Sequence, residues 1–133
     1  MRVKEFAARC TAAWCSGDPS RVASFYAENG SLTINDGPPS VGRTEIAEAA
    51  RGFMEAFPDL VVSMDGVTAE TGGFRYRWTL IGTNSGAGGT GRRVRVSGDE
   101  EWRFGPDGLI ARSLGRFDEA DYRRQLSGGG AAG

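Results

Sequence analysis

Glu100 is the residue in this sequence whose placement most suggests chemistry. It belongs to the alternation Val94, Val96, Gly98, Glu100, Trp102, Phe104, in which every other member is apolar or Gly. Alternate side chains of a strand share one face, so this spacing sets a carboxylate on an otherwise apolar surface. Burying it unpaired costs several kcal/mol or forces it to take up a proton. A carboxyl group with a raised pKa is suited to take a proton and give it back. The opposite parity, Arg93, Arg95, Ser97, Asp99, Glu101 and Arg103, is polar. A second arrangement also fits the acidic run Asp99-Glu100-Glu101: a sheet edge, or a bulge beside Gly98, where the alternation slips and Glu100 meets water.

The preceding strand repeats the pattern. Phe74, Tyr76, Trp78, Leu80, Gly82 and Asn84 share one parity, and Arg75, Arg77, Thr79, Ile81 and Thr83 the other. The aromatic parity belongs to the face that helices cover. Asn84, beside a Gly-rich loop, carries an amide able to orient a substrate carbonyl; a turn-forming Asn accounts for it equally well. Trp14, Tyr26, Tyr76, Trp78 and Trp102 offer flat walls for a planar or cyclic apolar ligand, while ordinary core packing explains any one of them.

The chain contains no His. That removes His-based acid–base and nucleophilic systems and most catalytic zinc sites. Cys10 and Cys15 lie five apart on one helix, which is poor spacing for a disulfide. They read as free thiols, and a cytoplasmic location follows. No metal or organic cofactor is expected.

These residues need a scaffold. Val3, Phe6, Ala7, Cys10, Ala13 and Trp14 recur at helical spacing and predict a helix over 3–16. Gly17 ends it, and Asp18-Pro19 starts a short second helix as N-cap and first turn. Glu28-Asn29-Gly30 reads as a turn into a brief strand, Ser31 to Asn35, and Asp36 to Ser40 as a Pro-stiffened loop. A third helix is predicted over 43–56, stopped by Pro58. The period then becomes two, giving strands from Leu60 to Ala69, Phe74 to Thr83, Arg92 to Phe104 and Leu109 to Arg116. Asp118 caps a short last helix, with Asp121 three residues on. Residues 1–127 read as one domain, and 128–133 as a disordered Gly/Ala tail. Helices followed by hairpin-linked strands are an α+β order.

Sixteen basic and seventeen acidic residues leave a formal charge of -1. The balance argues against a nucleic-acid or anionic-membrane binder, and no apolar run approaches the ~20 residues of a membrane span. The start, Met1-Arg2-Val3-Lys4-Glu5, does not resemble a signal peptide. The Arg-rich parity, interrupted by Thr79 and Ile81, suits a sheet face that forms a homodimer.

Phe25-Tyr26-Ala27-Glu28-Asn29-Gly30, Gly42-Arg43-Thr44-Glu45-Ile46, Phe57-Pro58-Asp59-Leu60 and Arg77-Trp78-Thr79-Leu80-Ile81-Gly82-Thr83 resemble the SnoaL-like polyketide cyclases. So do Trp102-Arg103-Phe104, Asp107-Gly108-Leu109-Ile110 and Phe117-Asp118. These cyclases lie within the nuclear-transport-factor-2-like, or ketosteroid-isomerase-like, superfamily. The resemblance implies a cone-shaped, barrel-like α+β fold, with a strongly curved antiparallel sheet wrapped around three N-terminal helices and an internal pocket. It implies acid–base work by Glu100, which matches a strand carboxylate of the aldol-condensing cyclases, and it puts Asn84 where a His is usual. The expected activity is that of a cofactor-independent cyclase or isomerase acting on a small apolar, cyclic or polyketide-like carbonyl compound. Glu100 is its base, and Asn84, helped by the Tyr26 hydroxyl, steadies the enolate. Two alternatives stand beside it: a ligand-binding or dimeric scaffold domain without catalysis, and an epoxide hydrolase-like enzyme, for which Gly115 occupies the place of a needed Asp.

Overall fold

The computed structural model describes residues 2–128; Met1 and all of the expected tail but Gly128 lie outside the described residues. The elements, in order, are α1 (Val3–Trp14), α2 (Pro19–Ala23), β1 (Tyr26–Ile34), β2 (Ser40–Val41), α3 (Gly42–Ala56), β3 (Val61–Glu70), β4 (Gly73–Thr83), β5 (Arg93–Phe104), β6 (Ile110–Phe117) and α4 (Glu119–Ser127). Helix α1 buries Phe6, Ala7, Cys10, Ala13 and Trp14, the stripe that its three- and four-residue spacing specifies. The Asp18 side chain accepts from Ser20 N ahead of Pro19, so α2 begins where a side-chain cap replaces the missing backbone acceptor. Asp118 does the same for α4 through Asp121 N at 3.0 Å.

The sheet differs from the expected one. Its six strands run in the order β2-β1-β6-β5-β4-β3. It is an open, mixed sheet, not a strongly curved, barrel-like antiparallel sheet wrapped around three N-terminal helices. Neighbours from β3 to β6 are antiparallel, as tight turns between them require. Strand β1 pairs parallel to β6. Parallel neighbours need a long crossover, and here α3 and four strands, β2 to β5, intervene between the partners, so local turn signals carry no information about that pairing. Closure fails because the edge strands β2 and β3 do not pair with each other, and β2 offers only two residues.

Two local readings also change. Strand β1 begins at Tyr26, before the Asn29-Gly30 turn signal; the register with β6 breaks between Tyr26 and Ser31. A Cβ at Gly30 would lie 2.7 Å from the Ile110 carbonyl oxygen, so this glycine marks a close backbone approach inside a strand. Ser40 and Val41, the first of them in the expected loop, add a short edge strand.

The core lies between one sheet face and the helices. Ile46 and Ala50 from α3, Phe57 at its C-cap, and Leu80, Val94 and Val96 from the sheet are buried together. Gly82 leaves the room that Phe57 fills, since a Cβ there would sit 2.9 Å from Phe57 Cβ. Helix α4 has no fully buried residue, and a polar device docks it. Beyond the stretch where β6 pairs with β5, the Gln125 amide stands in for a neighbouring strand: its Oε1 accepts from Arg95 N at 2.7 Å and its Nε2 donates to Arg95 O at 2.9 Å. Replacing Gln125 by Ala is expected to lower global stability by only about 1 kcal/mol, the worth of exposed hydrogen bonds. Hydrogen exchange checks the specific outcome, which is faster exchange confined to α4.

Candidate active site

Strand β5 is interior to the sheet, and its register with β4 runs unbroken from Phe74↔Trp102 to Thr83↔Arg93. No edge or bulge toward β4 interrupts the alternation at Gly98. Glu100 therefore points with Val94, Val96 and Trp102 to the covered face and is 8% exposed. Trp102 Nε1 donates to Glu100 Oε1 at 2.7 Å, and Ser113 Oγ donates to the same oxygen at 2.9 Å. Oε2 makes neither bond. Burial raises the Glu100 pKa above the ordinary carboxylate range; the two donors oppose that shift and the Asp99 charge adds to it.

The donors are themselves held. Trp102 stacks on Tyr76 with ring centroids 4.6 Å apart and planes 12° from parallel, and Phe6 packs edge-on against it at 5.7 Å. Ser113 is fully buried on β6 opposite Trp102. Tyr26 is buried beside Ser113, and burial, with Glu100 nearby, pushes its phenol pKa up.

Glu100 lines a cavity of about 50 Å³ between the sheet and helices α1, α3 and α4. Trp14, Leu32, Tyr76 and Leu80 surround its buried end, and half-buried Ile34, Phe53, Trp78, Phe117 and Tyr122 form the rim. The structure brings Trp14, Tyr76 and Trp78 together with Glu100. It places Tyr26 and Trp102 behind the wall, as supports of Glu100 rather than lining. Asn84 is elsewhere: its Nδ2 donates to Ala56 O at 3.1 Å and its Oδ1 accepts from Thr90 N at 2.8 Å. Both ends of that amide tie the Gly-rich loop to the end of α3, and the residue does not line the cavity.

Two contributors were invisible as site residues in the sequence, and a third, Gly115, entered there only as the place of an absent Asp. Tyr122 and Phe117, rings 5.4 Å apart, meet only because α4 folds back over the sheet. Gly115 pairs with Glu100 across β5 and β6 and lines the cavity. A Cβ added there would meet Glu100 Cγ at 3.6 Å, an ordinary contact. This glycine is not required by backbone geometry; its missing side chain leaves space in front of the carboxylate. Among the described residues, no group of three or more His, Cys, Asp or Glu side chains could hold a metal ion, and no helix is long and apolar enough to cross a membrane.

The arrangement of helices and sheet has relatives. The profile of the SnoaL-like domain matches residues 7–113. The chain belongs to the SnoaL-like family. Its fold recurs in a ketosteroid-isomerase-like protein of Catenulispora acidiphila, solved in complex with trimethylamine: 14% identity, TM-score 0.80, 92% of each chain covered. AclR of Streptomyces galilaeus is similar at 24% identity and TM-score 0.76, over 94% of this chain and 80% of that one. A phenazine biosynthesis-related protein of Pseudomonas aeruginosa follows at 18% identity and TM-score 0.73, over 94% and 87%. At such identities the likeness shows the fold alone. No match is found among curated proteins. SnoaL-like membership places the chain in a superfamily that holds small-molecule enzymes and non-catalytic proteins alike.

Two outcomes follow for this SnoaL-like site. A raised carboxyl pKa means that the folded state keeps its proton where the unfolded chain has lost it. The contribution to stability is full below the ordinary carboxylate pKa of about 4.3 and is lost as pH rises through the folded value. Thermal melts across that range should show the wild type falling relative to Glu100→Gln as pH rises, with the difference vanishing in acid. A pH-independent difference is the contrary result. Gly115→Ala should melt within about 1 kcal/mol of wild type, because no backbone strain or clash is introduced. It should nevertheless reduce small-ligand binding measured by calorimetry, because the added methyl group fills the space in front of Glu100.

Proposed function

We propose that this SnoaL-like domain, residues 1–127, is a cofactor-independent enzyme that moves a proton on a small apolar carbonyl compound, with Glu100 as its acid–base. One observation carries the reading: a carboxyl group buried on the wall of an apolar cavity, with two donors on one oxygen and the other outside that pair. As carboxylate, Glu100 removes a proton from the carbon beside a carbonyl. The C–H electron pair moves into the new C=C bond, and charge passes to oxygen. Where a second C=C adjoins that carbon, the carboxylic acid returns the proton to the far end of the dienolate while that double bond moves into conjugation with the carbonyl, an isomerisation. Alternatively, the enolate carbon attacks a second carbonyl of the same molecule, an aldol cyclisation, and the proton goes to the new alkoxide. A pKa drawn toward neutrality by burial serves both directions of the transfer.

The cavity of about 50 Å³ has room for a few non-hydrogen atoms. It suits the reactive end of a ring compound, the rest lying across the rim of Phe53, Phe117 and Tyr122. Gly115 supplies no second carboxylate beside Glu100, so the epoxide-opening alternative has no support here. A homodimer joined through the outer sheet face is part of this proposal, supported by Val61, 49% exposed beside Ile81 on that face. Free Cys10 and Cys15 suit a cytoplasmic setting.

Binding without turnover is favoured by a separate observation. Six aromatic rings and a carboxylate line the cavity, a setting that attracts organic cations, and the Catenulispora acidiphila protein was solved with trimethylamine.

Deuterium uptake by cyclopentanone in heavy water, followed by NMR, separates the two readings. Catalysed exchange that falls by roughly 100-fold or more in Glu100→Gln supports proton transfer. Exchange surviving within about tenfold removes Glu100 from the role. Absence of catalysed exchange, with trimethylammonium binding that depends on Glu100, would assign the cavity to the cation.

A further inference from the structure

Glu100 accounts for the proton on carbon, but the oxygen of a carbonyl ligand needs a donor of its own. Most candidates near the cavity are committed. Thr11 Oγ1 gives its proton to Ala7 O at 2.8 Å, so in the bond between Thr11 and Tyr76 the tyrosine is the donor. Ser113 and Trp102 donate to Glu100. Tyr26 is buried beside Ser113, and Asn84 holds a loop.

Trp78 differs. Its side chain lines the cavity. Its Nε1 is the one buried side-chain nitrogen or oxygen without a hydrogen-bond partner among the described residues. An unpaired buried N–H is costly to a fold, and such atoms gather where a ligand completes them. Its placement relative to Glu100 is set by register. Trp78 pairs with Gly98, two residues from Glu100 on the same face of β5. Trp78 and Glu100 are therefore diagonal neighbours, a relation that sets their backbone positions roughly 7 Å apart and brings long side chains within reach of one ligand. An O=C–C–H unit is such a ligand. Gly98 is the enabling residue: a Cβ there would run into the Arg116 carbonyl oxygen and lie 2.7 Å from Trp78 Cζ2, so only glycine fits between β6 and the indole.

We propose that the Trp78 indole N–H is the oxygen-binding donor of this cavity, and that its ligand class is small ketones and aldehydes bearing a C–H beside the carbonyl. This assignment rests on the proton-transfer reading of Glu100. When the C–H bond breaks, the proton goes to the Glu100 carboxylate and the electron pair leaves charge on the oxygen that Trp78 holds; the return step reverses both. Phe117 packs edge-on against Trp78 with centroids 6.1 Å apart, and Tyr122 packs on Phe117. Ligand oxygen reaches the indole by displacing that rim.

The test uses the full chain labelled with ¹⁵N, whose three tryptophans give separate indole signals; the Trp78 signal is the one missing from Trp78→Phe. The probes are cyclopentanone and methylenecyclopentane, alike in shape but differing in the oxygen. At millimolar ketone the Trp78 indole proton should move downfield. The ketone should bind Trp78→Phe about tenfold more weakly than wild type, the worth of one hydrogen bond. The alkene should bind both equally, which also shows that the variant is folded. A ketone that moves the Trp14 signal instead, moves none, or loses nothing in Trp78→Phe overturns the assignment. Failure of the Glu100 reading looks different: ketone exchange becomes independent of Glu100 while the Trp78 shift persists.

Discussion

The structure turns on one carboxyl group kept out of water by two donors on a single oxygen. A buried carboxylate without partners would not be tolerated; with Trp102 and Ser113 on Oε1 it is tolerated, though its proton affinity still rises. Trp102 shares β5 with Glu100, but Ser113 lies on β6 and meets Glu100 only while the antiparallel register Trp102↔Ser113 and Glu100↔Gly115 holds. The Tyr76 stack and the Phe6 edge fix the Trp102 ring, and α1 supplies Thr11 to hold Tyr76. The pKa of the site thus depends on the packing of three strands and a helix.

Space in front of the carboxyl group is made by what is missing. Gly115 opposite Glu100 and Gly98 opposite Trp78 leave the sheet face hollow, and large rings close around the hollow at its rim. One glycine is sterically required and the other is not: a Cβ at Gly98 would drive into Trp78, whereas one at Gly115 would fit. Access is set by α4, whose Tyr122 packs against Phe117 and Phe57 while the Gln125 amide grips the free length of β5. A helix held by exposed hydrogen bonds and a half-buried ring opens at lower free energy than the core.

The outer sheet face follows a different logic. Arg75 bonds Glu70, Asp99 and Glu101 at 2.7, 2.9 and 3.1 Å, so much of the Arg-rich parity is neutralised within the sheet. The family resemblance held for membership and for an α+β chain, but the cone-shaped, strongly curved antiparallel sheet it implied is not formed: the sheet is open and mixed, and the fold is shared by proteins with unlike activities. What a SnoaL-like chain does is decided by the few polar atoms on its covered face.

Period and punctuation in the sequence were enough to determine the helices, the long strands, the caps at Asp18 and Asp118, and the parity that groups Glu100 and Trp78 with apolar neighbours; the absence of an edge or bulge at Gly98 came only from the packed sheet. The former are local properties, written in alternation and in residues that fix backbone angles. The parallel pairing of β1 with β6, the open mixed sheet, the removal of Asn84 from the cavity and the arrival of Tyr122 were decided only in the tertiary structure. Each depends on which distant segments meet. The Asn29-Gly30 pair shows the limit: its composition signals a turn, yet the approach of the Ile110 carbonyl makes it part of a strand. Period two could say that Glu100 faces inward; only the packed chain could provide the indole, the hydroxyl and the hollow that make an inward carboxyl group usable.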